Sequence, residues 1–165
     1  MDFSIKAFDT KNTITSAKTG CVAVAVFENK KMSQAAKALD QGGEITAALK
    51  SGDITGKAGS TLMLRGVSGA NAARVLLVGM GSDEAISEKS FTSAVTAALK
   101  TFATIGSTDA IIALPLEDVK GRDISWAVRC IVIAANEGEF RTDRQKSKKD
   151  PAPTGVRKIT LAASP

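Results

Sequence analysis

The sequence predicts an α/β domain, a three-layer sandwich with a mixed central sheet between helices. Three observations carry this expectation. Short aliphatic runs, from Cys21 to Phe27, Arg74 to Gly79 and Asp109 to Leu114, read as strands, the first of them buried on both faces and the last of buried type. Between them lie segments whose apolar residues recur at helical spacing. Aromatics make up only 4% of the 165 residues, with no Tyr and one Trp, while 44% are hydrophobic. The core must therefore be built from Val, Ile, Leu and Ala, which suits aliphatic strands packed under Ala-rich helices.

Phe3 to Phe8 alternates apolar and polar residues over its first half and reads as a first strand at a sheet edge. The Val-rich run Cys21–Phe27 is the second. Met32, Ala35, Ala36 and Leu39 give a short amphipathic helix over 31–40, broken by Gln41-Gly-Gly43. Ile45, Ala48 and Leu49 repeat the spacing in a second short helix that stops at Gly52. Thr61–Arg65 and Arg74–Gly79 are strands joined by the turn-like Gly66-Val-Ser-Gly-Ala-Asn71, and their adjacency predicts antiparallel pairing. Ser87 is an N-cap with Glu88 beside it; Phe91, Val95, Leu99 and Phe102 then share a helix face ending near Gly106. Asp109–Leu114 is a strand stopped by Pro115. Asp123 caps a helix striped by Ile124, Val128, Ile131, Val132 and Ala135, and Val156 to Ala162 is the last strand.

The chain has the length of one ordinary domain and can bury a core without staples. The expectation for Cys21 and Cys130, the only two cysteines, is a pair of reduced, buried thiols. The start, Met1-Asp-Phe-Ser-Ile-Lys-Ala-Phe-Asp9, has no cationic head before an apolar run, and no apolar stretch approaches the roughly 20 residues of a membrane helix. A soluble, cytoplasmic protein without a membrane partner is expected.

Net charge is +5, and its placement is uneven. From Arg141 to Lys158 the chain carries seven basic residues and two acids, while the remainder carries 15 of each. The whole excess therefore lies in one segment, whose stretch Lys146 to Thr154 is the most linker-like of the chain. Arg141, Arg144, Lys146, Lys148 and Lys149 are the candidate nucleic-acid contacts, able to neutralise phosphates without reading sequence. The competing reading is a solvated loop, or one paired with acids of another domain.

Other chemistry is weakly represented. Histidine is absent, which removes the commonest general base and metal ligand. Acids such as Asp83, Glu84, Glu88, Glu117, Asp118 and Asp123 are scattered over caps and loops, so neither a catalytic centre nor a metal site is expected in this chain. Gly79-Met-Gly81-Ser82 follows a strand and precedes a helix, as a phosphate cradle would. The full glycine pattern is missing, Asp83 and Glu84 would repel a phosphate, and a plain strand-to-helix turn is the favoured reading. No serine or cysteine has a visible activating base, and no Gly-x-Ser-x-Gly elbow occurs. Trp126 is expected to pack, half buried, on its helix.

Several segments resemble the leucyl aminopeptidase family in order along the chain. Gly56-Lys-Ala-Gly59 leads through Leu62-Met-Leu64 to Ala73-Arg-Val-Leu-Leu-Val-Gly-Met-Gly81, similar to the family's strand ending in a Val-Gly-Leu-Gly-like turn before a helix. Glu137-Gly-Glu-Phe-Arg-Thr-Asp143, Lys146-Ser-Lys-Lys149 and the strand Val156 to Leu161 resemble the family's helix end and Lys-Ser-x-Lys loop. Phe140 stands where the family often has Tyr, and Thr142 where an aromatic is common.

The resemblance implies a macro-like, non-catalytic amino-terminal domain of a larger aminopeptidase, with this chain a fragment that has a native start. It implies no cofactor or metal here. Two divalent ions, zinc or manganese, would sit in a carboxyl-terminal catalytic domain, whose Asn-Thr-Asp-Ala-Glu-Gly-Arg run does not occur in this sequence. The implied partners are that catalytic domain, further copies in a hexamer and, in some bacterial members, DNA. Two alternatives stand beside the accessory-domain reading: a DNA-binding module through 141–158, and a stand-alone macro-type nucleotide binder at Gly79–Gly81.

Overall fold

The computed structural model describes residues 2–7, 13–82, 85–145 and 156–163, with side chains at 13, 138–145 and 163 excepted. Among these residues the strands are β1 (Asp2–Ala7), β2 (Val22–Phe27), β3 (Lys31–Met32), β4 (Thr61–Arg65), β5 (Arg74–Gly79), β6 (Asp109–Ala113) and β7 (Lys158–Ala163). The helices are α1 (Thr13–Ser16), α2 (Gln34–Leu39), α3 (Glu44–Ser51), α4 (Glu88–Phe102) and α5 (Ile124–Gln145).

The sheet order is β1-β7-β6-β2-β5-β4, with β3 pairing β2 outside that path. β2 lies between β5 and β6, parallel to both, and all six of its residues are buried. An unbroken aliphatic run is what such a position demands, because neither face meets water. β4 pairs antiparallel with β5, Thr61 opposite Val78 through Arg65 opposite Arg74. The sheet is therefore mixed, and the expected antiparallel pair is present. β1 forms one edge, parallel to β7, with Phe3 opposite Ile159 and Ile5 opposite Leu161.

Strand alternation divides the interior into two cores. Ala23, Ala25, Leu76, Val78, Ile112 and Ile159 face α4 and α5, meeting Phe91, Val95, Ala98, Ala127 and Ile131. Val22, Val24, Val26, Val75, Leu77 and Ile111 face the other way, onto Ile14, Ala36, Leu39, Ile45 and Leu49. Helices thus cover both sides, as the sandwich reading requires. Small Ala23 and Ala25 leave room for Phe91, which is fully enclosed.

Local signals set the helix ends. Ser33 caps α2 by accepting from Ala36 N–H, and Ser87 caps α4 by accepting from Ser90 N–H at 3.0 Å. Asp40 Oδ1 accepts from Ile45 N–H at 2.8 Å and Thr46 N–H at 3.2 Å, serving α3 from four residues upstream. Gly52 closes α3 in the left-handed conformation. Asp123 Oδ1 accepts from Trp126 N–H at 3.1 Å, capping α5 as expected.

Several boundaries differ from the sequence reading. The helix expected over 31–40, α2, begins only at Gln34, because Lys31–Met32 pair antiparallel with Val26–Phe27 after a 3₁₀ turn at Glu28–Lys30. α4 ends at Phe102, four residues before Gly106. Cys21 precedes β2, and β7 starts at Lys158 because Val156 N–H donates to Phe102 O while Arg157 N–H donates to Thr108 O. α1 was not anticipated.

Candidate functional site

The basic segment is reached only in part. Arg141 and Arg144 belong to the last turns of α5, with side chains outside the described residues, and Lys146, Lys148 and Lys149 lie outside them altogether. Arg157 and Lys158 are described: both are exposed where the chain enters β7. There the Asp2 N–H donates to Arg157 O at 2.8 Å, so these two cations sit beside the edge strand.

The Gly79–Gly81 turn is fully committed to its own neighbours. Gly79 N–H donates to Ser60 O, Met80 N–H to Val26 O and Gly81 N–H to Gly56 O, at 2.7, 3.0 and 2.9 Å. A phosphate cradle needs backbone amides turned outward; these three donate inward, two to the loop 56–60 and one to β2. The glycines serve close packing. A Cβ on Gly79 would lie 2.1 Å from Lys57 O and 2.2 Å from Ser60 Oγ. The nucleotide-binding alternative loses the donors that motivated it.

The thiols are free, but only one is buried. Cys21 is sealed at 0% exposure, and burial pushes its thiol up to about 12, outweighing the lowering by Arg74 and by a backbone hydrogen bond from Leu76. It is a protonated packing group, not a nucleophile. Cys130 corrects the expectation: it is half buried, with Sγ 3.8 Å from Thr92 Oγ1 at the α4–α5 seam. Among the described residues, no three His, Cys, Asp or Glu side chains gather closely enough to hold a metal ion.

Among the described residues, a surface concavity lies along α4. It is an open groove of about 860 Å³ bounded by Gly59 on one side and by Arg122 and Trp126 on the other. α4 buries Phe91, Ala94, Val95, Ala98 and Phe102. Its opposite face then necessarily presents Lys89, Thr92, Ser93, Thr96 and Lys100 along the groove. Trp126 is wedged beside it, its ring 5.7 Å from that of Phe91 and tilted by 50°. The Arg122 guanidinium lies 5.6 Å from the indole centroid and also pairs with Glu88. The expected half-buried packing role of Trp126 is what is found.

Comparison with known proteins decides the family. The family description "Cytosol aminopeptidase family, N-terminal domain" matches residues 23–149. This chain belongs to that family. A probable cytosol aminopeptidase of Herminiimonas arsenicoxydans is 60% identical over 99% of the chain and 33% of its own length. One from Nitrosospira multiformis is 41% identical over 98% of the chain and 31% of its own length. The chain therefore spans about a third of these relatives. Among solved structures, a mutant of tomato leucine aminopeptidase matches with a TM-score of 0.66 at 19% identity, over 98% of this chain and 32% of that one. The macrodomain of Mycobacterium tuberculosis DarG matches with a TM-score of 0.66 at 12% identity, over 98% of each. The macro-like fold expected from the sequence is thus present.

In this cytosol aminopeptidase N-terminal domain the α4 groove is the feature that sequence reasoning missed. A signal existed. The apolar stripe of α4 implies an opposite face, and reading that face gives two lysines flanking a row of hydroxyls. The closeness of Gly59, Arg122 and Trp126 to that face arises only in the tertiary structure.

Proposed function

We propose that this chain is a non-catalytic accessory domain of a metal-dependent leucyl aminopeptidase that removes amino-terminal residues from peptides in the cytoplasm. Membership of a family of N-terminal domains supports this reading, together with a match over only about a third of much longer relatives. In the intact protein the domain supports assembly with the carboxyl-terminal catalytic domain and into a hexamer. Any zinc or manganese of that enzyme belongs, on this reading, to the catalytic domain. Among the described residues no helix is long and apolar enough to cross a membrane.

The test is direct. The purified 165-residue chain, supplied with zinc or manganese, is assayed on a leucine anilide. The expected outcome is no turnover above the metal-only blank. Turnover that scales with chain concentration and disappears on chelation overturns the accessory-domain reading.

Charge placement favours a second reading, nucleic-acid binding through Arg141, Arg144, Lys146, Lys148 and Lys149, with exposed Arg157 and Lys158 nearby in sequence. Replacing the three lysines by Ala is then expected to weaken binding to duplex DNA for all sequences alike and to lower the salt slope by about 3. Unchanged binding by that variant rejects this segment as the contact.

A further inference from the structure

We propose that the groove along α4 is a docking site for an extended acidic polypeptide segment. Three observations converge on it. The first is shape: an open channel of about 860 Å³ between α4, Gly59 and the start of α5. The second is charge. Lys89, Lys100 and Arg122 line it against a single acid, Glu88. Among the described residues the one ion pair at the groove joins Glu88 to Arg122, so the acid is matched to the cation nearest Trp126 and leaves the two lysines to set the potential. The third is spacing. Eleven residues of helix separate Lys89 from Lys100, a rise of about 16 Å. An extended chain advances about 3.3 Å per residue, so carboxylates roughly five residues apart reach both ammonium groups.

The same geometry selects polypeptide over nucleic acid. Single-stranded nucleic acid binds by stacking bases on exposed aromatic faces between cations. Trp126 is the one aromatic lining the groove, and its ring already meets Phe91, 5.7 Å away and tilted by 50°, and the Arg122 guanidinium, 5.6 Å from its centroid. What remains is a row of hydroxyls and amines, suited to carboxylates and backbone carbonyls. Rim charges of this kind govern encounter and salt dependence.

Trp126 supplies the probe, since the chain has no other Trp and no Tyr. An octaglutamate peptide is titrated into the full 165-residue chain while indole emission is recorded. The expected result is a saturable change that high salt suppresses. The double substitution Lys89→Glu with Lys100→Glu, at exposed positions, weakens binding by tenfold or more while leaving the circular dichroism spectrum intact. The pair Arg157→Glu with Lys158→Glu, outside the groove, leaves affinity unchanged. Three results overturn the proposal: no emission change at millimolar peptide, equal loss in the two double variants, or equally tight binding of an oligothymidylate of the same charge.

Discussion

Cys21 shows how far a single side chain can be removed from chemistry by its surroundings. Its thiol is sealed between the start of β2 and the α4 side of the sheet, and burial holds its pKa at about 12, above the ordinary thiol value of 9.0. The folded pKa is the raised one. Stability is therefore unaffected below pH 9.0 and falls as pH rises from there toward 12, because only the unfolded chain ionises in that window. A disulfide-exchange reagent near neutral pH is expected to label Cys130 quickly and Cys21 only after denaturant; rapid labelling of both in the native state contradicts the burial. Glu44 carries the opposite sign. The Ser68 N–H donates to its carboxylate at 2.9 Å and holds its pKa below the usual range. Its contribution is present at neutral pH and lost as pH falls through the lowered value. Glu44→Gln is expected to flatten the acid limb of the stability profile slightly, the group being partly exposed to solvent that screens it. At Gly79 the expectation is larger. Gly79→Ala places a methyl 2.1 Å from Lys57 O, and the loop 56–60 must move; a loss of about 2 kcal/mol or more in chemical denaturation is expected.

At the scale of elements, the caps are the simplest levers. Ser87→Ala removes the acceptor for Ser90 N–H and should lower stability by about 1 kcal/mol, measured by urea unfolding. Phe91→Ala should lower it by about 3–5 kcal/mol, since the ring is fully buried and supports Trp126. A Phe91→Ala change below about 1 kcal/mol would show that the α4–α5 seam collapses to fill the space. These same elements were legible in the sequence, because each carried its own evidence: Val-rich β2, the Ser87 and Asp123 caps, the two aliphatic runs that pair as β4 and β5. Elements that exist only through tertiary contact were not. β3 is two residues long and is fixed by its register with Val26 and Phe27. α1 is four residues long, below the length at which local pattern is readable, and is anchored by Ile14 in the second core. The groove followed the same rule: α4 announced its polar face, while Gly59 and Trp126 came from distant segments.

For the molecule as a whole, the central strands bind two cores into one unit. β2, β5 and β6 each contribute alternate residues to both, so neither core can dissolve while the sheet persists. Unfolding is expected to be a single transition. Trp126 emission, which reports the α4–α5 side alone, and far-ultraviolet dichroism, which reports both sides, should share one midpoint. Separated midpoints would mean that the helices α1–α3 melt independently.

The pairing of β1 with β7 sets a timetable for synthesis. Ser4 and Thr160, whose hydroxyls lie 3.1 Å apart, are 156 positions apart in the chain. At about 5–20 residues per second, between roughly 8 and 30 s pass on the ribosome before the first strand meets its neighbour. Throughout that interval the nascent β1 waits without the neighbour it pairs with in the sheet, and the emergence of β7 closes the sheet over it.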